Sequence, residues 1–346
     1  MMPVITLLLL ASCSDDFAGK EEPEGTKAPV AEQPLGISVG VATRSIAMTG
    51  ATFPHESKIN VILADPLGGG TTAYGKSMVY TFKKPDSNVA GTWLTTTEFL
   101  VGEKTANVLA HYPATLPAGA TLSADKRSIS PGLEGTMDFG KLENYNGDNI
   151  FRMKLSNDPG AMDSEILIAN GEVDYISGAG NDVHADPKVP TAHQTTITMH
   201  HALCMIVLRM YKAPESITPG YMSKFTFANA TTGGPLKKGS FALADQSFTP
   251  LAPAEDMTYV RTLSGFPAGL YFATFVYPAT FGNKEVELTL QIDGGSYTFE
   301  LPAGKWEAGK VVFYEVRING QASDLKEEIL VKDWPADVID HDFELS

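Results

Sequence analysis

Leu35, Ile37, Val39 and Val41 alternate with Gly36, Ser38, Gly40 and Ala42. Successive side chains of an extended chain point to opposite faces, so this spacing predicts a strand with one apolar face. The same period-two or short apolar pattern returns along the whole sequence. It marks strands at 58–63, 77–82, 107–112, 166–169 and 195–199, then at 201–211, 224–229, 239–243, 271–276, 286–292, 297–301 and 311–318. Asp65-Pro66, Gly68-Gly69-Gly70 and Pro131-Gly132 punctuate these runs, and Asp293-Gly294-Gly295 reads as a tight hairpin turn. No window longer than about ten residues carries a helical period. Many short strands at roughly 8- to 12-residue spacing predict an all-β chain built of sandwiches. Pro187 and Pro190, in a polar stretch, mark a boundary between two domains, 35–190 and 191–346.

With 346 residues the chain is long enough for two cores. Its 43% hydrophobic and 19% charged content suits a soluble globular class. The formal net charge of -15 argues against nucleic acid as a partner, because phosphate binding needs a basic face. There are two cysteines, Cys13 and Cys204. Cys204 sits in Leu203-Cys204-Met205-Ile206-Val207-Leu208 and reads as a small buried hydrophobe. Two cysteines so placed make neither a disulfide framework nor a CxxC zinc site.

The N-terminal run Leu7-Leu8-Leu9-Leu10 leads into Ala11-Ser12-Cys13. This resembles the lipobox of a bacterial lipoprotein signal peptide, in which small side chains flank the scissile bond and a thiol accepts diacylglycerol. Residues 1–12 are then the signal and Cys13 the lipidated residue. Met1-Met2-Pro3 lacks the Lys or Arg that usually opens such a signal. The apolar run is shorter than the roughly 20 residues needed to span a bilayer. Residues 13–34, rich in Glu, Pro and Gly, read as a flexible acidic tether. Asp15-Asp16 resembles signals that send some lipoproteins to the outer surface of the outer membrane.

Several segments, in this order, resemble the fimbrillin family, the pilins and tip subunits of type V pili. They are the lipobox, the strand ending Ala42-Thr43-Arg44, Val108-Leu109-Ala110-His111-Tyr112-Pro113, His200-His201-Ala202-Leu203, Tyr277-Pro278, Trp306-Glu307-Ala308-Gly309-Lys310 and Val331-Lys332-Asp333-Trp334. The resemblance implies two tandem β-sandwich domains of transthyretin-like, Greek-key type, made as a lipoprotein precursor. It implies cleavage between Arg44 and Ser45 by an Arg-specific surface protease, which releases the strand carrying Leu35, Ile37, Val39 and Val41. It further implies that a C-terminal strand with Ile339, Phe343 and Leu345 inward fills the groove of another subunit. The implied partners are other pilus subunits and, through Cys13, outer-membrane lipid. The implied places are the cell surface, then an extracellular fimbrium.

Strand chemistry gives this mapping independent support. A sandwich missing an edge strand exposes unpaired N–H and C=O groups above an apolar trough. An incoming extended segment restores both. Four apolar side chains at roughly 1.5–3 kcal/mol each contribute about 6–12 kcal/mol before entropy is charged.

Other candidates are weaker. His200 and His201 are adjacent, so on a strand they face opposite ways and do not chelate one ion. His184 and His193 have no zinc spacing, and Asp182 and Asp186 near Gly178 and Gly180 do not match an EF-hand loop. No nucleophile elbow or phosphate loop occurs, so no enzyme, metal or cofactor is expected. Trp93, Trp306 and Trp334 are expected in cores rather than as sugar platforms. The alternatives to a polymerising subunit are a pilus tip adhesin of the same family and a glycan-binding lipoprotein of a polysaccharide-uptake system.

Overall fold

The computed structural model describes residues 29–41, 53, 55–66, 75–84, 91–142, 150–153, 164–212, 220–319 and 322–333. Among them there are strands and turns and no α-helix. The chain is all-β and sandwich-like, as the recurrent short period predicts.

One seven-stranded sheet dominates the N-terminal part. Its spatial order is Gly36–Val41, Gln194–His201, Ile176–Ala179, Asn107–Tyr112, Lys58–Ala64, Lys76–Lys83 and Thr92–Leu94. One face carries Ile59, Val61, Leu63, Val108, Ala110, Ile176, Ile197 and Met199 into a core closed by Leu35, Phe53, Phe99 and Val101. A short antiparallel pair, Gln33–Pro34 with Leu100–Val101, lies over this core.

Two sheets, of five and six strands, form the C-terminal sandwich. The first has the order Thr136–Lys141, Tyr259–Pro267, Tyr221–Asn229, Val286–Ile292 and Gly295–Glu300. The second has the order Ile150–Met153, Ser164–Ile168, Tyr271–Val276, Cys204–Lys212, Lys310–Asn319 and Ala322–Asp333. Phe225, Phe227 and Leu288 from one sheet meet Ile206, Leu208, Phe272 and Tyr314 from the other in a single core. Trp306 packs on Phe227 at 5.7 Å between ring centroids, and its Nε1 donates to the Tyr314 hydroxyl at 3.0 Å. The expected hairpin is present. Ile292 pairs with Gly295 around Asp293 and Gly294, whose φ angles of 49° and 83° are those of a primed turn.

Sheet membership does not follow the division expected at 190/191. Gln194–His201, beyond that point, is the second strand of the N-terminal sheet. Conversely, Thr136–Lys141 and Ser164–Ile168, before it, pair in parallel with Tyr259–Pro267 and Tyr271–Val276. Parallel neighbours need long crossovers, so chain order and spatial order separate. The proline-containing stretch is a loop inside the N-terminal unit: Ala185 N donates to Gly102 O at 2.7 Å, and His184 N to Ala192 O at 3.0 Å. The strand read as 201–211 is also interrupted. Ala202 and Leu203 separate Gln194–His201 in one sheet from Cys204–Lys212 in another.

The two units are tied by the connection before Ile176–Ala179. Glu172 and Arg261 are both fully buried and form a two-pronged ion pair, with N–O distances of 3.1 and 2.9 Å. The Glu172 carboxylate also accepts from the Thr274 hydroxyl at 2.6 Å and from Phe275 N at 2.7 Å. Two residues on, Asp174 accepts from His201 Nδ1 at 2.6 Å. One short segment therefore grips both the C-terminal sandwich and the end of the strand Gln194–His201.

Candidate functional site: the edge-strand slot

The first strand occupies a slot at the rim of the seven-stranded sheet. It pairs in parallel with its neighbour over six positions, from Gly36 beside Gln194 to Val41 beside Met199. Ile37, Val39 and Val41 thereby share a face with Thr195, Ile197 and Met199. Leu35 and Val41 are buried, and Ile37 and Val39 pack against the same core. The outward residues are small, and Ser38 hydrogen-bonds the Thr196 hydroxyl at 2.8 Å. The four apolar residues of the alternating pattern are thus brought onto one face.

Three further features shape the slot. A second ladder continues the first upstream. Leu35 N donates to Phe99 O at 2.8 Å, and Gln33 and Pro34 pair with Val101 and Leu100. The far edge of the sheet also curls back, so that Thr92–Leu94 comes within 8 Å (Cα–Cα) of the first strand without bonding to it. Below that seam Trp93 packs edge-on to Phe53 at 5.0 Å and against Phe82 at 5.1 Å. The Tyr80 hydroxyl reaches Leu35 O at 3.4 Å, and burial pushes its pKa up to about 12. Finally, Gly178 permits the adjacent strand to lie close. A Cβ there would sit 1.9 Å from Thr198 O.

The wall formed by Thr92–Leu94, the ladder to Phe99–Val101 and the requirement at Gly178 are not evident from the sequence reading. Gly178 was open to it: a glycine inside a strand signals close backbone approach. The other two depend on long-range pairing.

The remaining candidates fall as follows. Cys204 is free and buried, and burial pushes its thiol well above the ordinary range. Asp182 accepts from Asn107, and Asp186 from Lys188 N. Among the described residues no three His, Cys, Asp or Glu side chains group to hold a metal ion. Trp306 is 1% exposed and presents no sugar platform, while Trp93 is partly buried against the rings of Phe53 and Phe82. Cys13, Arg44, Ser45, Trp334, Ile339, Phe343 and Leu345 lie outside the described residues.

A family profile described as fimbrillin-like matches residues 43–334. The chain belongs to the fimbrillin-like family. Membership makes it a structural rather than a catalytic protein. Among solved structures, one from Bacteroides ovatus ascribed to cell adhesion superposes with a TM-score of 0.51 at 15% identity, covering 88% of this chain and 99% of that one. A fimbrial protein from Bacteroides vulgatus gives 0.47 at 12% identity, over 87% and 100%. The tip fimbrial protein Mfa3 from Porphyromonas gingivalis gives 0.36 at 9% identity, over 81% and 95%. The first of these shares the fold. A search of curated proteins finds no match.

Two of the motif segments of this fimbrillin-like chain, those at 200–203 and 306–310, are hydrogen-bonded to each other. Gly309 N donates to Leu203 O at 2.8 Å, and Gly309 takes a φ of 70° that closes the turn before Lys310–Asn319. Tyr277 donates its hydroxyl to Pro131 O at 3.0 Å.

Proposed function

We propose that this fimbrillin-like protein is a structural subunit of a surface pilus. It is exported as a lipoprotein through Cys13, held in outer-membrane lipid, cut after Arg44 by an Arg-specific surface protease and polymerised into an extracellular fimbrium by strand exchange. The observation that carries this reading is the first strand, Gly36–Val41. It is an edge strand, hydrogen-bonded along its length to one neighbour, and it covers an apolar core with its alternate side chains.

That arrangement suits release. A parallel ladder is slightly weaker per residue than an antiparallel one, and Gly36–Val41 has one such ladder to lose, beside the short upstream pairing of residues 33–35 with Phe99–Val101. Once vacated, the slot offers unpaired backbone groups along Gln194–His201 and an exposed apolar floor. A C-terminal strand from another subunit, with Ile339, Phe343 and Leu345 inward, restores both by strand addition. The contact joins two different surfaces, so repeated head to tail it does not close and builds a filament. Adhesion follows from display of that filament. The described function of the Bacteroides ovatus structure, cell adhesion, agrees with this role.

N-terminal sequencing of protein sheared from the cell surface tests the maturation step. The expected start is Ser45, with Cys13 found only in the membrane-bound form. Arg44→Ala is expected to leave a lipidated, unpolymerised precursor, and wild-type assembly of that variant would refute the cleavage assignment. Removal of residues 339–346 is expected to block filament growth while each monomer stays folded.

A further inference from the structure

The slot has a direction. Its occupant runs parallel to Gln194–His201, and upstream of Gly36 the same segment moves on to a second ladder with Phe99, Leu100 and Val101. That ladder is reached only from the occupant's N-terminal side. A C-terminal strand donated by a second copy of this chain remains joined to its own subunit through its N-terminal side. Laid parallel, its connecting residues pass Phe99–Val101 and can pair there. Laid antiparallel, its connecting residues leave from the opposite end of the slot, away from Phe99–Val101.

We propose that the incoming strand, residues 334–346 of a second copy, enters parallel to Gln194–His201 in the direction of Gly36–Val41, so that the joint between subunits is loaded in shear. This rests on the strand-exchange reading. The length is sufficient. Thirteen extended residues span roughly 43 Å at about 3.3 Å each, and the present occupant uses residues 33–41 for both ladders. The outer face sets a further condition. A Cβ at Gly36 would meet Gln194 Cγ at 3.1 Å, whereas one at Gly40 meets nothing within 4 Å. Asp340, Asp342 and Glu344 alternate with the inward residues. A carboxylate in the place of Ser38 can accept from the Thr196 hydroxyl, and the open Gly40 position receives the longer Glu344.

Polarity decides how tension acts. Subunits pulled apart tension the donor from its N-terminal end. They tension the accepting strand from its C-terminal end, through Ala202 and Leu203 into Cys204–Lys212. In a parallel pair those ends are at opposite ends of the ladder, and all six paired positions share the load. In an antiparallel pair they coincide, and the ladder opens one position at a time.

Cysteine pairs on the outer face report the direction. Parallel entry predicts disulfides between subunits for Thr198→Cys with Glu344→Cys and for Gln194→Cys with Asp340→Cys. Oxidised filaments should then run as covalent ladders in denaturing gels. Linkage instead of Thr198→Cys with Asp340→Cys, and of Gln194→Cys with Glu344→Cys, would overturn the proposal. Filaments that form yet link through neither set overturn the placement and leave strand exchange standing. A cleaved wild-type subunit that neither polymerises nor captures a synthetic peptide of residues 334–346 overturns strand exchange, and this orientation with it. Buried Cys204 does not compete as a thiol in the native fold.

Discussion

His111 is held neutral in the folded protein. Its Nδ1 donates to Pro113 O at 2.9 Å, and its Nε2 accepts from Asn60 Nδ2 at 2.9 Å. Burial lowers its pKa from 6.5 to about 4, against a smaller upward pull from the Pro113 carbonyl. The unfolded chain therefore binds a proton across a window in which the folded one does not. Stability is complete above pH 6.5 and falls as pH drops toward 4, by on the order of 3 kcal/mol. His111→Gln is expected to flatten that part of a plot of urea midpoint against pH. A second residue-scale prediction concerns Glu172. Replacing it with Ala leaves the Arg261 guanidinium buried without its carboxylate, and equilibrium unfolding should show a loss of about 3–5 kcal/mol. That pair is also why the strand Tyr259–Pro267 is hard to read from sequence. An inward Arg261 looks like a polar break in the alternation until a carboxylate 89 residues away is placed beside it.

At the scale of elements, the ladder that seats the first strand depends on Gly178. Gly178→Val forces the strand Ile176–Ala179 away from Thr198, since its Cβ would sit 1.9 Å from that carbonyl oxygen. Faster amide hydrogen exchange over residues 194–201 should follow, with Val286–Ile292 in the C-terminal sandwich unaffected. Strands with a clear apolar run or a regular alternation were legible: Asn107–Tyr112, Tyr271–Val276 and Val286–Ile292 are found at the bounds expected for them. Thr136–Lys141 was not. Met137 and Phe139 are flanked there by Asp138 and Gly140, and the segment becomes a strand through its parallel pairing with Tyr259–Pro267. The candidate site divides the same way. The comb of Leu35, Ile37, Val39 and Val41 is local and readable, while the second ladder and the returning wall at Thr92–Leu94 are not.

For the whole molecule, interleaving of strands predicts cooperative behaviour. Residues 35–190 expressed alone lack Gln194–His201, the strand on which both the first strand and Ile176–Ala179 pair. Residues 191–346 alone lack Glu172 and the strands 136–141 and 164–168. Neither fragment should give a sharp thermal transition by circular dichroism, whereas the full chain should. Cys204, buried where the two units join, offers a second readout. Its alkylation should be negligible in the native state and should appear in step with global unfolding.

Side-chain alternation is a property of neighbouring residues, so the sequence by itself determined that the chain is all-β, which face of the first strand is apolar and that the inner residues of the tight turn at Asp293-Gly294 join two strands. Its ordered motifs likewise identified the fimbrillin-like family. Which strand lies beside which was decided only by the tertiary structure. Backbone donors and acceptors are the same at every position, and the partners of a parallel strand lie far away along the chain. The polarity of the slot, its second ladder and the burial of Arg261 against Glu172 all come from that choice of neighbours.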